Sequence, residues 1–480
     1  MRAILLASAA VLALSACGES TDTADAVDET VVEVEADAMD AEEAEAEETD
    51  VAELDGDDAP PPGPPPGFGA GPNPAVEEAR ANNPRVGPDI TSEFTPDPAV
   101  AEQRPPNADT LGGQTPAFDG QTRAPIPEVT EGWTMEEVAT GLVHPWGLEL
   151  MPDGRFLITE RPGQMRIVST DGEMSDPITG VPEVFNEGQG GLFDVALAPD
   201  FESSRKIYFA YAEPREDGKN GTTLAAATLP EGASELQDVE VIFRMEPAWA
   251  SPGHFGGRIA IDEANGVLFL TLGERMLEDA RVTAQTPEDH IGTIVRLNLD
   301  GSIPADNPYA DGESGAPEVW SYGHRSVQGA AIDPVTGEFW SLEHGPRGGD
   351  ELNMPEPGKN YGWPIIAYGV DYPGTPMADY ETSRPGMEQP VYYWDPVIAP
   401  GGMAFYTGDM FPEWTNDLFI AGEGSMRLSR LTFNEDRTRI TGEEWLPIGA
   451  RTREVKTGPD GALYVITEED NAKLLRIVPG

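Results

Sequence analysis

From about Val129 to the C-terminus, short apolar-alternating runs follow one another, each behind a tight turn. Six places share one grammar, an Asp/Asn/Gly/Pro turn feeding a strand-like run. They are Pro152-Asp153-Gly154 into Phe156–Thr159, Pro199-Asp200 into Ile207–Tyr211, and Asp262–Gly266 into Val267–Leu272. Asp333–Gly337 into Phe339–Leu342, Glu413–Asp417 into Leu418–Ala421, and Pro459-Asp460-Gly461 into Leu463–Thr467 complete the set. Recurrence at intervals of roughly 45–85 residues predicts an all-β, six-bladed β-propeller over 128–480. A pair of β-sandwiches would not repeat this turn-and-strand signature. In a propeller, concave polar sites form from loops at one end of the central channel, so the chemistry should lie between the repeats.

The first 127 residues read differently. Met1–Ala16 has an early Arg2, an apolar stretch and small residues, the pattern of a secretory signal too short to span a bilayer. Leu14-Ser15-Ala16-Cys17-Gly18 resembles a bacterial lipoprotein box, and Cys17 is the chain's single cysteine. Lipidation of Cys17 would anchor an exported protein to the outer membrane or the periplasmic face of the envelope. Gly18–Asp58 holds nineteen acids and no Lys or Arg, too little apolar surface to offset ordering entropy. Ala59–Gly71 is a polyproline stretch, and 17–127 as a whole is expected to be a disordered tether.

Charge removes whole classes of function. With 86 Asp+Glu against 30 Lys+Arg in 480 residues, the formal charge is −56, which excludes a nucleic-acid partner. One cysteine excludes an intramolecular disulfide framework and a multi-Cys metal site. Against that acidity, five loop segments gather Gly, His and Arg: Gly188–Gly191, Gly253–Arg258, Gly323–Ser326, Glu343–Glu351 and Arg451–Arg453. Arginine forks match carboxylates, so cations concentrated in loops of an acidic protein point to an anionic ligand.

Longer motifs then carry a resemblance. Pro145-Trp146-Gly147-Leu148, Thr159-Glu160-Arg161, Gly188–Gly191 with Asp194-Val195-Ala196, Arg296–Pro304, Glu343–Asn353, Asn360–Pro364 and Pro459-Asp460-Gly461 occur in order. Together they resemble the glucose/sorbosone dehydrogenase family, aldose dehydrogenases that use pyrroloquinoline quinone (PQQ) and Ca²⁺ on a six-bladed propeller. The resemblance implies oxidation of the anomeric carbon of an aldose to the lactone, with electrons passing to a quinone or cytochrome. It implies His254 as general base and Arg325 as the group polarising the quinone oxygen, with Gln189 and Glu274 at the substrate. Arg325, Ser326, His344, Arg451 and Arg453 fall at the cofactor, and the carbonyls of Gly345 and Pro346 at calcium.

The chain departs from the family pattern at several of these positions. Gly424 stands where a cofactor-contacting Lys is usual, with Arg427 as a possible substitute. Ser326 replaces an Asn, Val397 a hydroxyl residue, and Glu274 an Asp. A cofactor-free propeller that binds carbohydrate or protein, and a calcium-dependent lactone hydrolase, are the alternative readings. The adjacent acids Asp350 and Glu351 are a poor hydrolytic pair, because neighbours on an extended loop diverge. Trp146, Tyr361 and Trp363 are open to either blade packing or sugar stacking.

Overall fold

The computed structural model describes residues 114–130, 132–232, 234–370 and 381–480. The signal segment, Cys17 and the acidic tether through residue 113 lie outside the described residues. Six antiparallel sheets form the body, five of four strands and one of three. Blade 1 is Pro145–Leu150, Phe156–Glu160 and Gln164–Val168, extended by single bridges from Met165 to Ile178 and Val168 to Met174. Blade 2 runs from Leu192–Leu197 to Gln237–Arg244, blade 3 from Gly256–Asp262 to Val319–Tyr322, and blade 4 from Val327–Ile332 to Tyr392–Trp394. Blade 5 spans Pro400–Phe405 to Ile440–Pro447. Blade 6 is closed across the termini: Trp133–Leu142 pairs antiparallel with Ala472–Pro479, so the first described strand completes the last sheet.

The six first strands neighbour one another in a closed ring, which is the propeller's channel wall. Every turn picked out from the sequence is the hairpin between the first and second strand of a blade. Those second strands are apolar along their length because they are covered on both faces. Phe156–Glu160, Val267–Leu272, Leu418–Gly422 and Leu463–Thr467 are buried throughout. Between blades, aromatic rings interlock, as at Phe193 and Phe255 (5.4 Å) and at Phe269 and Phe339 (4.2 Å). Each such fully buried large side chain contributes about 1.5–3 kcal/mol.

The channel itself is closed by charge. Arg258 on the first strand of blade 3 meets Asp194 of blade 2 at 3.1 Å and Glu454 of blade 6. It also donates from Nε to the Gln328 carbonyl of blade 4 (2.8 Å), so one guanidinium ties four blades. The ring of Trp146 in blade 1 lies 4.2 Å from the same guanidinium. Trp146 is therefore part of the packing and does not stack on a sugar.

The boundary at residue 127 needs correction. Gln121 is fully buried, donating to the Pro390 carbonyl (2.9 Å), and the Ala124 amide donates to the Tyr392 hydroxyl (2.9 Å). Residues 114–127 thus lie against the fourth and fifth blades. Their side chains carry no periodic pattern because they follow the sheet edges by polar contacts.

Candidate functional site

Antiparallel order puts the start of each first strand and the end of each second strand at the same end of the ring. That end lies opposite the Asp/Gly hairpins. Gln189 precedes Leu192–Leu197, His254 precedes Gly256–Asp262, and Arg325-Ser326 precede Val327–Ile332. Ile398-Ala399 precede Pro400–Phe405, and Arg451 and Arg453 bracket the start of Thr452–Thr457. The sequence candidates therefore share one face because the chain enters the channel there.

At the ends of the second strands a feature recurs that sequence reading missed. Blades 1, 3, 4, 5 and 6 place a glutamate there: Glu160, Glu274, Glu343, Glu423 and Glu468. Each anchors a donor of the loop face. The recurrence was legible as Thr-Glu, Gly-Glu or Leu-Glu after each apolar run, but it looked like ordinary solvated acid.

Glu274 shows the consequence most directly. Its Oε1 lies 2.7 Å from His254 Nδ1, and its Oε2 accepts the Met276 amide (2.7 Å). A carboxylate facing Nδ1 keeps the proton on that nitrogen and leaves the Nε2 lone pair free. Burial and then the Arg325 charge hold the imidazole below its ordinary pKa, opposed by Glu274. Burial works to raise the Glu274 carboxyl, but His254, Arg325 and Arg281 outweigh it and keep it ionised. The His254 backbone sits at φ 48° and donates its amide to Gln189 Oε1 (2.7 Å). Gly273 packs so closely on the His254 carbonyl that a Cβ there would overlap it. Glu274, expected at the substrate from the sequence, lies against the His254 imidazole, and Gln189 accepts the His254 amide.

Arg325 is fixed from behind. Its amide donates to Glu343 Oε2 (2.6 Å), and its Nη1 donates to the His344 carbonyl (3.1 Å). Glu343 Oε1 also meets His324 Nδ1 (3.0 Å), whose Nε2 is 2.9 Å from Ser321 Oγ. That Ser–His–Glu order resembles a hydrolase triad, yet Ser321 and His324 are fully buried and reach no substrate. Tyr361 stacks on His324 (4.9 Å) and also lines the cavity that Trp363 borders. The Trp363 ring faces Arg325 (5.2 Å) and Arg281 (5.5 Å). With Arg325, His344, Gly345 and Pro346 it lines an open cavity.

One carboxylate ties the loop His344–Asp350 to the turn before blade 5. Asp350 accepts the Gly345 amide (2.8 Å) at Oδ1 and the Ile398 and Ala399 amides (2.7 and 2.8 Å) at Oδ2. Gly424 rests on the same turn, its amide donating to the Ile398 carbonyl (3.0 Å). Asp350 therefore joins the Gly345-Pro346 loop to the Ile398-Ala399 turn on which Gly424 rests. Among the described residues neither the Gly345 nor the Pro346 carbonyl accepts a hydrogen bond, and oxygen donors of that kind suit a hard cation.

Arg453 is buried and ion-paired to Glu423 Oε1 and Glu468 Oε1, both at 2.7 Å. Arg451, half exposed, pairs with Glu423 (2.7 Å) and Glu468 (2.9 Å). The two carboxylates titrate as a pair. Burial pushes Glu423 up to about 8, while Arg453 and Arg451 override burial at Glu468 and hold it below the usual range. His344 lies well below its ordinary pKa through burial and then through Arg325, Arg453, His254 and Arg451. Arg427 turns to another partner: its guanidinium lies 3.3 Å from the Trp445 ring.

The donors left over describe a ligand. Arg325 Nε, Ser326 Oγ, His344 Nε2 and Arg453 Nε are buried without a hydrogen-bond partner among the described residues. Such groups are costly to bury unsatisfied, so their convergence matches a guest bearing several oxygen acceptors. PQQ, with its quinone and carboxylate oxygens, fits this donor set.

Comparison with known proteins agrees with the geometry. Residues 142–476 match the profile of the Glucose / Sorbosone dehydrogenase family. The aldose sugar dehydrogenase YliI of Escherichia coli K12 is 43% identical over 348 residues, covering 72% of this chain and 92% of its own length. The crystal structure of the soluble aldose sugar dehydrogenase from Escherichia coli in its apo-form superposes with a TM-score of 0.69 at 41% identity, covering 72% of this chain and all of that one. The PQQ-bound aldose sugar dehydrogenase of Streptomyces coelicolor superposes with a TM-score of 0.59 at 27% identity, covering 72% of this chain and 98% of that one.

Proposed function

The chain belongs to the glucose/sorbosone dehydrogenase family, and from that premise we propose that it is a PQQ-dependent enzyme oxidising an aldose at its anomeric carbon to the lactone. The observation that carries this reading is the His254–Glu274 pair beside Arg325, set among unpaired buried donors. Arg325, Ser326, His344, Arg451 and Arg453 would hold the cofactor, and the Gly345 and Pro346 carbonyls a calcium ion. When bound there, PQQ supplies a two-electron acceptor and calcium a polarising Lewis acid.

What the protein itself does follows from its atoms. His254 Nε2, neutral at physiological pH, takes the proton of the sugar's anomeric hydroxyl. The imidazolium that forms keeps its other proton on Nδ1, where the ionised Glu274 stabilises it. Arg325 holds positive charge where negative charge develops on the acceptor side, without reorganising, because Glu343 and the His344 carbonyl already fix it. Buried Trp363 walls this region, and its indole excludes water from the reacting atoms.

Electrons would leave to a quinone or a cytochrome. Cys17, lipidated after export, would tether the enzyme to the outer membrane or the periplasmic face of the envelope. The tether's composition supports that placement.

Titration of the purified protein with PQQ and Ca²⁺, followed by absorbance and thermal shift, then by dye reduction with a panel of aldoses, tests the reading. Saturable binding, a raised melting temperature and aldose-dependent reduction are expected. Sugar binding that survives chelation with no quinone uptake would favour the non-catalytic alternative. Acid release from lactones without an acceptor would favour the hydrolase.

A further inference from the structure

Arg281 has no counterpart among the residues assigned above. It ends the short helix Glu278–Arg281, which follows the Glu274 turn in blade 3. Its guanidinium makes no hydrogen bond or ion pair among the described residues, and its Nε is buried without a partner. Its contact is the Trp363 ring at 5.5 Å, the same indole that Arg325 faces at 5.2 Å. Its charge favours the ionised form of Glu274 and disfavours the protonated form of His254, and the Trp363 ring it faces lines the cavity. The neighbouring cations are differently placed: Arg451 and Arg453 lie within ion-pair distance of Glu423 and Glu468, and Arg325 donates to the His344 carbonyl.

A half-buried guanidinium that makes no ion pair among the described residues, in a chain of formal charge −56, keeps its donors for an external anion. A neutral sugar offers only hydroxyls, whereas a carboxylate or phosphate matches the guanidinium fork. Resting on the dehydrogenase reading, we propose that Arg281 is a specificity residue that pairs with the acid group of an anionic aldose. Its substrates would then be aldoses carrying a carboxylate or a phosphate distant from the anomeric carbon.

The experiment compares D-glucuronate, D-glucose 6-phosphate and D-glucose on the full-length protein loaded with PQQ and Ca²⁺, for wild type, Arg281→Met and Arg281→Lys. Calorimetric binding of the same three sugars runs in parallel. Wild type should prefer at least one anionic sugar over glucose. Arg281→Met should lower the anionic-to-neutral ratio of kcat/KM by roughly 10- to 100-fold, mostly through KM, the scale of one charge-assisted bond. Lysine should restore part of that ratio. Whether glucuronate or glucose 6-phosphate loses more identifies the acid group. Equal losses for charged and neutral sugars, a change in PQQ affinity alone, or an unchanged ratio would overturn the assignment while leaving the dehydrogenase intact. If no sugar is oxidised, the dehydrogenase reading fails separately, and the calorimetric preference still decides the role of Arg281.

Discussion

Glu274 Oε1 and His254 Nδ1 face each other across 2.7 Å, both buried, at the end of one strand and the start of its neighbour within blade 3. The same carboxylate fixes the tautomer of the imidazole and limits the fall of its pKa. Burial and Arg325 pull the imidazole toward neutrality, and Glu274 limits how far.

His254→Ala should abolish turnover, losing about 10²- to 10⁴-fold, while PQQ still binds. Glu274→Gln removes the charge that raises the His254 pKa. The acidic limb of kcat/KM, already below about 6.5 in the wild type, should therefore move to lower pH as the maximum falls. A limb that moves to higher pH would contradict the arrangement.

Arg453 is buried between Glu423 and Glu468, whereas Arg451 is half exposed on the same acids. Arg453→Gln should weaken PQQ binding by roughly 10- to 100-fold. Arg451→Gln should cost less, because solvent screens it. Direct titration of the cofactor-free protein with PQQ reads both.

Asp350 offers acceptors to three amides on two loops. Asparagine would turn an NH₂ toward at least one of them, so Asp350→Asn should destabilise the fold by about 1–3 kcal/mol. It should also weaken calcium retention, measured by melting temperature with and without Ca²⁺, because the Gly345 loop loses its anchor.

Arg258 closes the channel between Asp194 and Glu454, with all three side chains buried. Arg258→Met leaves two carboxylates without their counter-ion and should cost about 3–5 kcal/mol. Arg155→Met, at the exposed Arg155–Asp153 pair, should cost about 1 kcal/mol or less. Denaturant melts of the two variants give the contrast.

Blade count was readable in the chain because each hairpin between first and second strands needs turn residues, and each second strand must be apolar on both faces. Pro152-Asp153-Gly154 and Phe156–Thr159 carry that signal locally, so no distant contact is needed to see it. His254, Arg325 and Arg453 were readable as candidates because cations are conspicuous in so acidic a sequence. What each side chain faces was decided only by ring closure. Glu274 faces His254, Glu423 and Glu468 pair with Arg451 and Arg453, Trp146 packs beneath Arg258, and Arg427 turns to Trp445, through contacts made across strands or blades. Residues 114–127 likewise show no periodicity, since polar groups bind them to Pro390 and Tyr392, far along the chain. A strand's own alternation fixes which face it buries, but an ion pair between blades exists only once the circle of sheets has set the distance.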